Sequence, residues 1–269
     1  MLQVNTIYNE DCQVTMSNLT NSVDMVLTSP PYNMTYRKGG FGDSGRYDVY
    51  RDWMEESDYI NWIIDLFNSF DLILKKNKIV VFNFGYSIEN PGLPYKLVAE
   101  IESKTHFMVA DTIIWKKSNG LPFPAQKQRL SRTWEFVFVF CRKDEANTFD
   151  THKGVASISQ KTGQTYYNVV YNLIESRNND EVCPLNQATY SSDLCMQILN
   201  IYATKDYVVY DPFMGTGTTA VACKQLGMNY IGSEISSQQC EWATNRLNEV
   251  TKIEVVTQNK ESLWNEEHL

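Results

Sequence analysis

The chain has 269 residues, 43% of them apolar and 21% charged, the makeup of a globular α/β protein long enough to bury one large core. It has no apolar run long enough to span a bilayer, and Met1-Leu2-Gln3-Val4-Asn5 lacks the basic and apolar segments of a secretory signal, so a cytoplasmic protein is expected. The net charge of −8 argues against a protein that coats nucleic acid by overall positive charge, and six scattered cysteines with three histidines indicate neither a zinc site nor a disulfide framework.

In chain order, Asn5 to Tyr8 reads as a short strand, Asp11-Cys12 as the start of a loop and Val14 to Leu19 as a short helix. The apolar run Val23 to Leu27 is a strand that delivers Thr28-Ser29-Pro30-Pro31-Tyr32-Asn33. Two consecutive prolines fix φ and restrict the residue before each, so this is a stiff, extended turn. It gathers a hydroxyl (Ser29), prolyl carbonyls and an aromatic ring (Tyr32), a set that suits a planar ring bearing an amino group. Tyr36 to Arg46 carries four glycines and suits a mobile flap. Ser57 is placed to cap a helix from about Asp58 to Leu74, and Lys78 to Phe84, ending at Gly85, reads as a central parallel strand. Pro94 opens a helix to about Lys104, and strands near Met108 to Trp115 and Trp134 to Phe140 bracket the next segment as the arms of a wide hairpin.

That segment concentrates positive charge. Between Lys116 and Lys143 lie Lys116, Lys117, Lys127, Arg129, Arg132, Arg142 and Lys143 against the single acid Glu135, interleaved with Trp115, Phe123 and Trp134, which favours a nucleic-acid surface over a merely solvated face. Acidic residues gather elsewhere, at Glu261, Glu266 and Glu267. Asp144 to Asn186 is polar and without a sustained period, consistent with a ligand-recognising insertion or a variable surface excursion.

A helix from about Ser191 to Tyr202 leads to a strand over Lys205 to Tyr210, then to Asp211-Pro212-Phe213-Met214-Gly215-Thr216-Gly217-Thr218-Thr219 and a helix Ala220 to Leu226 closed by Gly227. Glycines admit a ligand close to the backbone, and the helix behind them offers unpaired N–H groups. No G-K-[ST] follows, so this is not a nucleotide P-loop. The next strand, Asn229 to Ser233, ends at Glu234, about twenty residues beyond the glycines, the separation at which an acid reaches ribose hydroxyls in nucleoside-binding βαβ units. Ser236 and Gln239 form a capping pattern for a helix Gln238 to Leu247. A doubly wound sheet collects ligands at the carboxyl ends of its strands, so both turns are expected on one edge, a nucleoside cofactor facing an amino nitrogen.

In this order the two motifs resemble those of the amino-methylating DNA methyltransferases of the permuted β group, found in bacterial and phage restriction–modification systems. There the S/D-P-P-Y motif comes first and a D-P-F-x-G-x-G-T-T motif late. The resemblance also takes in Asp11-Cys12, Asp58-Tyr59-Ile60-Asn61-Trp62, Ile113-Ile114-Trp115-Lys116 and Trp134-Glu135-Phe136. It implies a doubly wound, mostly parallel, Rossmann-like sheet forming one methyltransferase domain over 1–269, with target-recognition segments at 116–133 and 144–190. It implies catalysis by Ser29, Pro30, Pro31 and Tyr32. S-adenosylmethionine would be held by Asp11, Cys12, Thr28, Asp211, Phe213, Gly215, Gly217, Thr218, Thr219 and Glu234, with Glu234 on the ribose. Double-stranded DNA would meet Lys116, Lys117, Lys127, Arg129 and Arg132; no metal or membrane takes part, and dimers are common in the family.

Serine at position 29 resembles the form common in N4-cytosine enzymes, whereas N6-adenine enzymes usually carry aspartate there. The expected reaction is methyl transfer to the N4 amine of an extruded cytosine in duplex DNA. The alternatives are N6-adenine methylation, a non-catalytic DNA-binding regulator, and methylation of RNA or a protein amide. A C5-methylating mechanism would need a cysteine in a Pro-Cys setting, which Cys183-Pro184 reverses. Asn186 to Ser191 departs from the family pattern, and no cofactor role is carried onto it.

Overall fold

In the computed structural model the described residues are 2–34, 49, 52–85, 90–120, 127, 130–180, 183, 186 and 189–250. The glycine-rich stretch read as a flap, Phe123, Arg129 and the acidic C-terminal residues lie outside them. An eight-stranded sheet forms the centre. Its order is β1 (Thr6–Tyr8), β10 (Asn229–Ser233), β9 (Val208–Asp211), β2 (Val23–Thr28), β3 (Leu74–Phe84), β5 (Trp134–Arg142), β4 (Phe107–Lys117) and β8 (Leu173–Ser176). Every neighbouring pair is parallel except the two made by β5, which runs antiparallel to both β3 and β4.

Continuous apolar runs become central strands because helices cover both faces. All six residues of β2 are buried. On one face Val26, Val80, Phe82, Phe84, Phe138 and Phe140 pack under α1 (Cys12–Ser17), α2 (Glu56–Ile73) and α3 (Leu93–Lys104). On the other, Met25, Leu27, Ile79, Val81, Val137 and Val139 pack under α4 (Ser192–Tyr202), α5 (Thr218–Leu226) and α6 (Ser237–Glu249). Alternate residues of one strand thus feed two cores, as the two-residue period of a strand requires. Among the described residues no helix is long and apolar enough to cross a membrane.

The strand order reverses between β2 and β9. From β2 the chain winds outward through α2 to β3; from β9 it winds the other way through α5 to β10. Yet β2 and β9 lie side by side, with Met25 opposite Val209 and Val26 opposite Tyr210. Their carboxyl ends therefore flank the crevice that a topological switch point creates, where open α/β sheets bind ligands.

Three expectations change. Ser57 does not cap α2: the cap position is Glu55, without a side-chain bond, and α2 begins one residue before the serine. The first helix starts at Cys12 because the Asp11 carboxylate accepts from Gln13 N at 2.8 Å, which turns the expected loop start into a cap. The polar stretch after Asp144 is also more regular than its sequence suggests. It forms the antiparallel pair β6 (Val155–Ile158) and β7 (Thr165–Tyr167) and then supplies β8 to the sheet edge. Every residue of β6 is exposed, so no buried face imposes an alternation that a sequence pattern could reveal.

Candidate active site

The proline turn and the glycine turn are joined directly. Thr28, at the end of β2, donates from Oγ1 to Asp211 Oδ1 at the end of β9 at 2.7 Å. Asp211 is fully buried and also accepts from Phe213 N at 3.0 Å and Thr219 Oγ1 at 2.6 Å, with Tyr190 Oη at 3.3 Å. Burial pushes its carboxyl above the usual aspartate range, against the hydrogen bonds that favour the ionised form. These bonds set where the chain leaves both strands.

Beyond Asp211 the chain turns through Gly217, whose φ of +85° lies in the left-handed region. A Cβ there would sit 2.8 Å from Ala243 Cβ, so α6 packs against the turn only because position 217 is bare. Across the turn the Glu234 carboxylate accepts from Gly215 N and from Ser236 N, each at 2.8 Å.

Above this lies a cavity of about 290 Å³. Of the residues assigned to the cofactor, Asp11, Cys12, Phe213, Gly215, Thr218 and Glu234 line it. Thr28, Asp211 and Thr219 sit beneath it instead, buried and bonded to one another, and Gly217 allows the turn. Burial and the charge of Asp11 push the Cys12 thiol up to about 12, so it is a neutral wall atom and no nucleophile at neutral pH. The wall also includes Trp62, Asn186, Thr189, Tyr190, Ile235 and Gln239. Asn186 donates to Gln239 Oε1 at 3.0 Å, so the stretch that departs from the family pattern closes one side of the cavity all the same.

Ser29 and Pro31 line the same cavity. The turn that carries them is pinned from below. Tyr59 Oη donates to the Pro31 carbonyl at 2.6 Å, and Asn33, at a left-handed φ of 53°, exchanges side-chain bonds with Met54 N and O at 2.6 and 3.0 Å. Tyr32 turns its hydroxyl back toward Ser29, with 2.9 Å between the oxygens, and rests its ring 4.9 Å from that of Phe84. The ring lies across Gly85, where a Cβ would stand 2.7 Å from Tyr32 Cε2. Gly85→Ala is accordingly expected to displace the ring and lower the rate of the reaction at this turn about 10- to 100-fold, with ligand affinity of the cavity unchanged, as isothermal titration and single-turnover rates would show.

Residues not assigned from sequence complete this corner. Asn83 Nδ2 lies 2.6 Å from Tyr32 Oη, 3.2 Å from Ser29 Oγ and 3.2 Å from Glu135 Oε2, and Tyr32 Oη donates to the same carboxylate oxygen at 3.1 Å. Lys117, grouped with the surface cations by charge, pairs with Glu135 Oε1, and only 17% of its side chain is exposed. Asn83 was detectable as the one polar residue in an otherwise apolar strand end. Of the other cations, Lys116 is paired with Glu175 at 3.0 Å on the surface, and Lys127 and Arg132 are exposed.

A family model described as DNA methylase, of the N6/N4 group, matches residues 23–245. The chain belongs to this family. It is 27% identical to the type II methyltransferase M.HinfI of Haemophilus influenzae over 92% of its own length and 69% of the relative's. To M.Cfr9I of Citrobacter freundii it is 30% identical, over 58% of this chain and 49% of that one. Two solved structures share the fold. The cytosine-N4-specific PvuII DNA methyltransferase superposes with a TM-score of 0.69 at 18% identity, covering 91% of this chain and 88% of the other. The S-adenosylmethionine complex of M1.HpyAVI superposes with a TM-score of 0.60 at 24% identity, covering 90% and 98%. The permuted order of this DNA methylase, proline turn before glycine turn, is thus matched by a sheet in which the late strand β9 returns to lie beside β2.

Proposed function

We propose that this DNA methylase transfers a methyl group from S-adenosylmethionine to the exocyclic N4 amine of a cytosine extruded from duplex DNA, at a specific sequence. The observation that carries the reading is the Thr28–Asp211 bond, which ties the acceptor turn to the glycine turn so that Ser29 and Gly215 face one cavity. The wall suits the cofactor. Cys12, Phe213, Ile235 and Trp62 offer apolar surface for an adenine ring. Backbone N–H groups of Gly215 and Ser236 fix the Glu234 carboxylate at the cavity wall, where an acid of this kind meets ribose hydroxyls.

When bound, S-adenosylmethionine supplies an electrophilic methyl group. The chain's own task is to prepare the amine, whose lone pair is delocalised into the base. Ser29 Oγ and the Pro30 carbonyl accept its two N–H bonds and favour a pyramidal nitrogen with its lone pair turned to the donor. The bond from Tyr59 to Pro31 and the Asn33–Met54 clasp hold those acceptors in place before substrate arrives, which lowers the ordering cost of the reactive geometry. The proton leaves after transfer, so no strong base is needed beforehand.

Serine at position 29 supports cytosine as the base. Lys116, Lys127, Arg129 and Arg132 in the segment 116–133, and the exposed Tyr166 and Tyr167 of the β6–β7 hairpin within 144–190, are proposed to contact the duplex. Incubating duplex DNA with methyl-labelled cofactor and identifying the modified nucleoside tests the reading. N4-methylcytosine is expected; N6-methyladenine overturns the base assignment, and label in RNA or protein but not in duplex DNA overturns the substrate.

A further inference from the structure

We infer that Glu135 is a positioning residue that sets the direction of the hydrogen bonds at the proline turn, so that the Ser29 hydroxyl meets the target amine as an acceptor. The inference rests on the functional reading above and deepens it. Its starting point is a chemical difference: an aspartate at the head of such a motif can only accept, whereas a serine hydroxyl can donate or accept. A serine that pointed its proton at the amine would leave the amine's hydrogens unclaimed. Something must take that proton the other way.

The fold supplies it. β5 is the one strand that runs against the others, so its first residues, not its last, lie at the sheet edge where the ligand crevice opens. Glu135, second in β5, therefore reaches Tyr32 from 103 positions away in sequence.

Proton counting fixes the rest. An ionised Glu135 accepts only, so the single Tyr32 proton goes to it, the stronger choice because the acceptor is charged. Tyr32 Oη is then an acceptor toward Ser29, 2.9 Å away, and the Ser29 proton runs to it. Asn83 must present its NH₂ to this corner, because a carboxylate offers it no proton; its Nδ2 fills further lone pairs on Tyr32 and Ser29. Ser29 Oγ has two lone pairs: Asn83 takes one, and the other remains for an amine N–H. The Asn83 Oδ1 atom is buried without a hydrogen-bond partner among the described residues, a cost consistent with the amide being held for its NH₂ end. Among the described residues the ionisable groups facing Glu135 are Lys117 from β4, which supplies the counter-charge, and Tyr32 from the proline turn.

Replacing Glu135 by glutamine gives Tyr32 a donor as neighbour and removes the reason for the hydrogen-bond chain to run away from the amine. An aspartate at position 29 would need no such direction. The test is a double-mutant cycle on the full chain with Glu135→Gln and Ser29→Asp. It reads single-turnover methyl transfer to duplex DNA, cofactor affinity and unfolding midpoint. Glu135→Gln is expected to slow transfer about 10- to 100-fold when Ser29 is present and less than about threefold when Asp is at 29, with cofactor affinity retained.

Glu135→Asp, which keeps a carboxylate acceptor at this position, is expected to retain more of the rate than Glu135→Gln. Equal losses in both backgrounds, a full rate in Glu135→Gln, or no advantage of Asp over Gln at position 135 overturns the inference. Should Ser29→Asp be inactive, the comparison of Glu135→Asp with Glu135→Gln decides alone. A wild type that methylates no base in duplex DNA overturns the functional reading and this inference with it.

Discussion

Ser29→Ala is expected to reduce methyl transfer about 100- to 1,000-fold while leaving cofactor affinity within about twofold. The side chain is small and half-buried, so little packing is lost, and the turn remains fixed by the two prolines and by Tyr59 on Pro31. On the proposed mechanism the acceptor for the amine disappears, and with it the partner of Tyr32 Oη and Asn83 Nδ2. Single-turnover rates with saturating cofactor, beside calorimetric titration of the cofactor, separate the two quantities. A loss confined to cofactor affinity would place Ser29 in the cofactor wall and not at the base.

The largest stability effect is expected at Asp211. Asp211→Ala strands the buried Thr28 hydroxyl and the half-buried Phe213 N–H, while Thr219 and Tyr190 still bond to each other. At roughly 1–3 kcal/mol for each unpaired group, a net loss of about 2–6 kcal/mol follows, read as a lower urea midpoint with unchanged slope. Asp211→Asn keeps an acceptor and is expected to cost less.

The raised Asp211 carboxyl gives this comparison a sign with pH. In the folded protein the group holds its proton above the ordinary value of about 3.9 at which it ionises in the unfolded chain. Its contribution to stability is therefore full below that value and lost as pH rises through the raised one. Wild type should lose ground to Asp211→Asn across that window and stay level above it. Urea midpoints of both proteins at matched pH test this, because all other titrating groups are common to the pair.

Much of the architecture was legible because it depends on local rules. Buried parallel strands must be apolar on both faces, which marked 23–27 and 78–84, and the glycine turn followed by a helix and by Glu234 has one usual use. The hairpin arms around the basic segment pair as expected, β4 with β5. The β6–β7 pair was not legible, since exposed strands carry no hydrophobic alternation.

The site divides the same way. By itself the sequence determined the stiffness of Ser29-Pro30-Pro31-Tyr32 and the bare turn at Gly215 and Gly217, because proline and glycine restrict or free the backbone wherever they occur. Only the tertiary structure decided which polar side chains meet there. Thr28 and Asp211 lie 183 positions apart and touch because β9 inserts beside β2. Lys117, which by charge alone belongs to a duplex-facing surface, pairs instead with Glu135, and Glu135 meets Tyr32, because the antiparallel strand begins at the crevice. Strand order and direction are global properties, settled by how the two cores close on the sheet, and no local pattern encodes them.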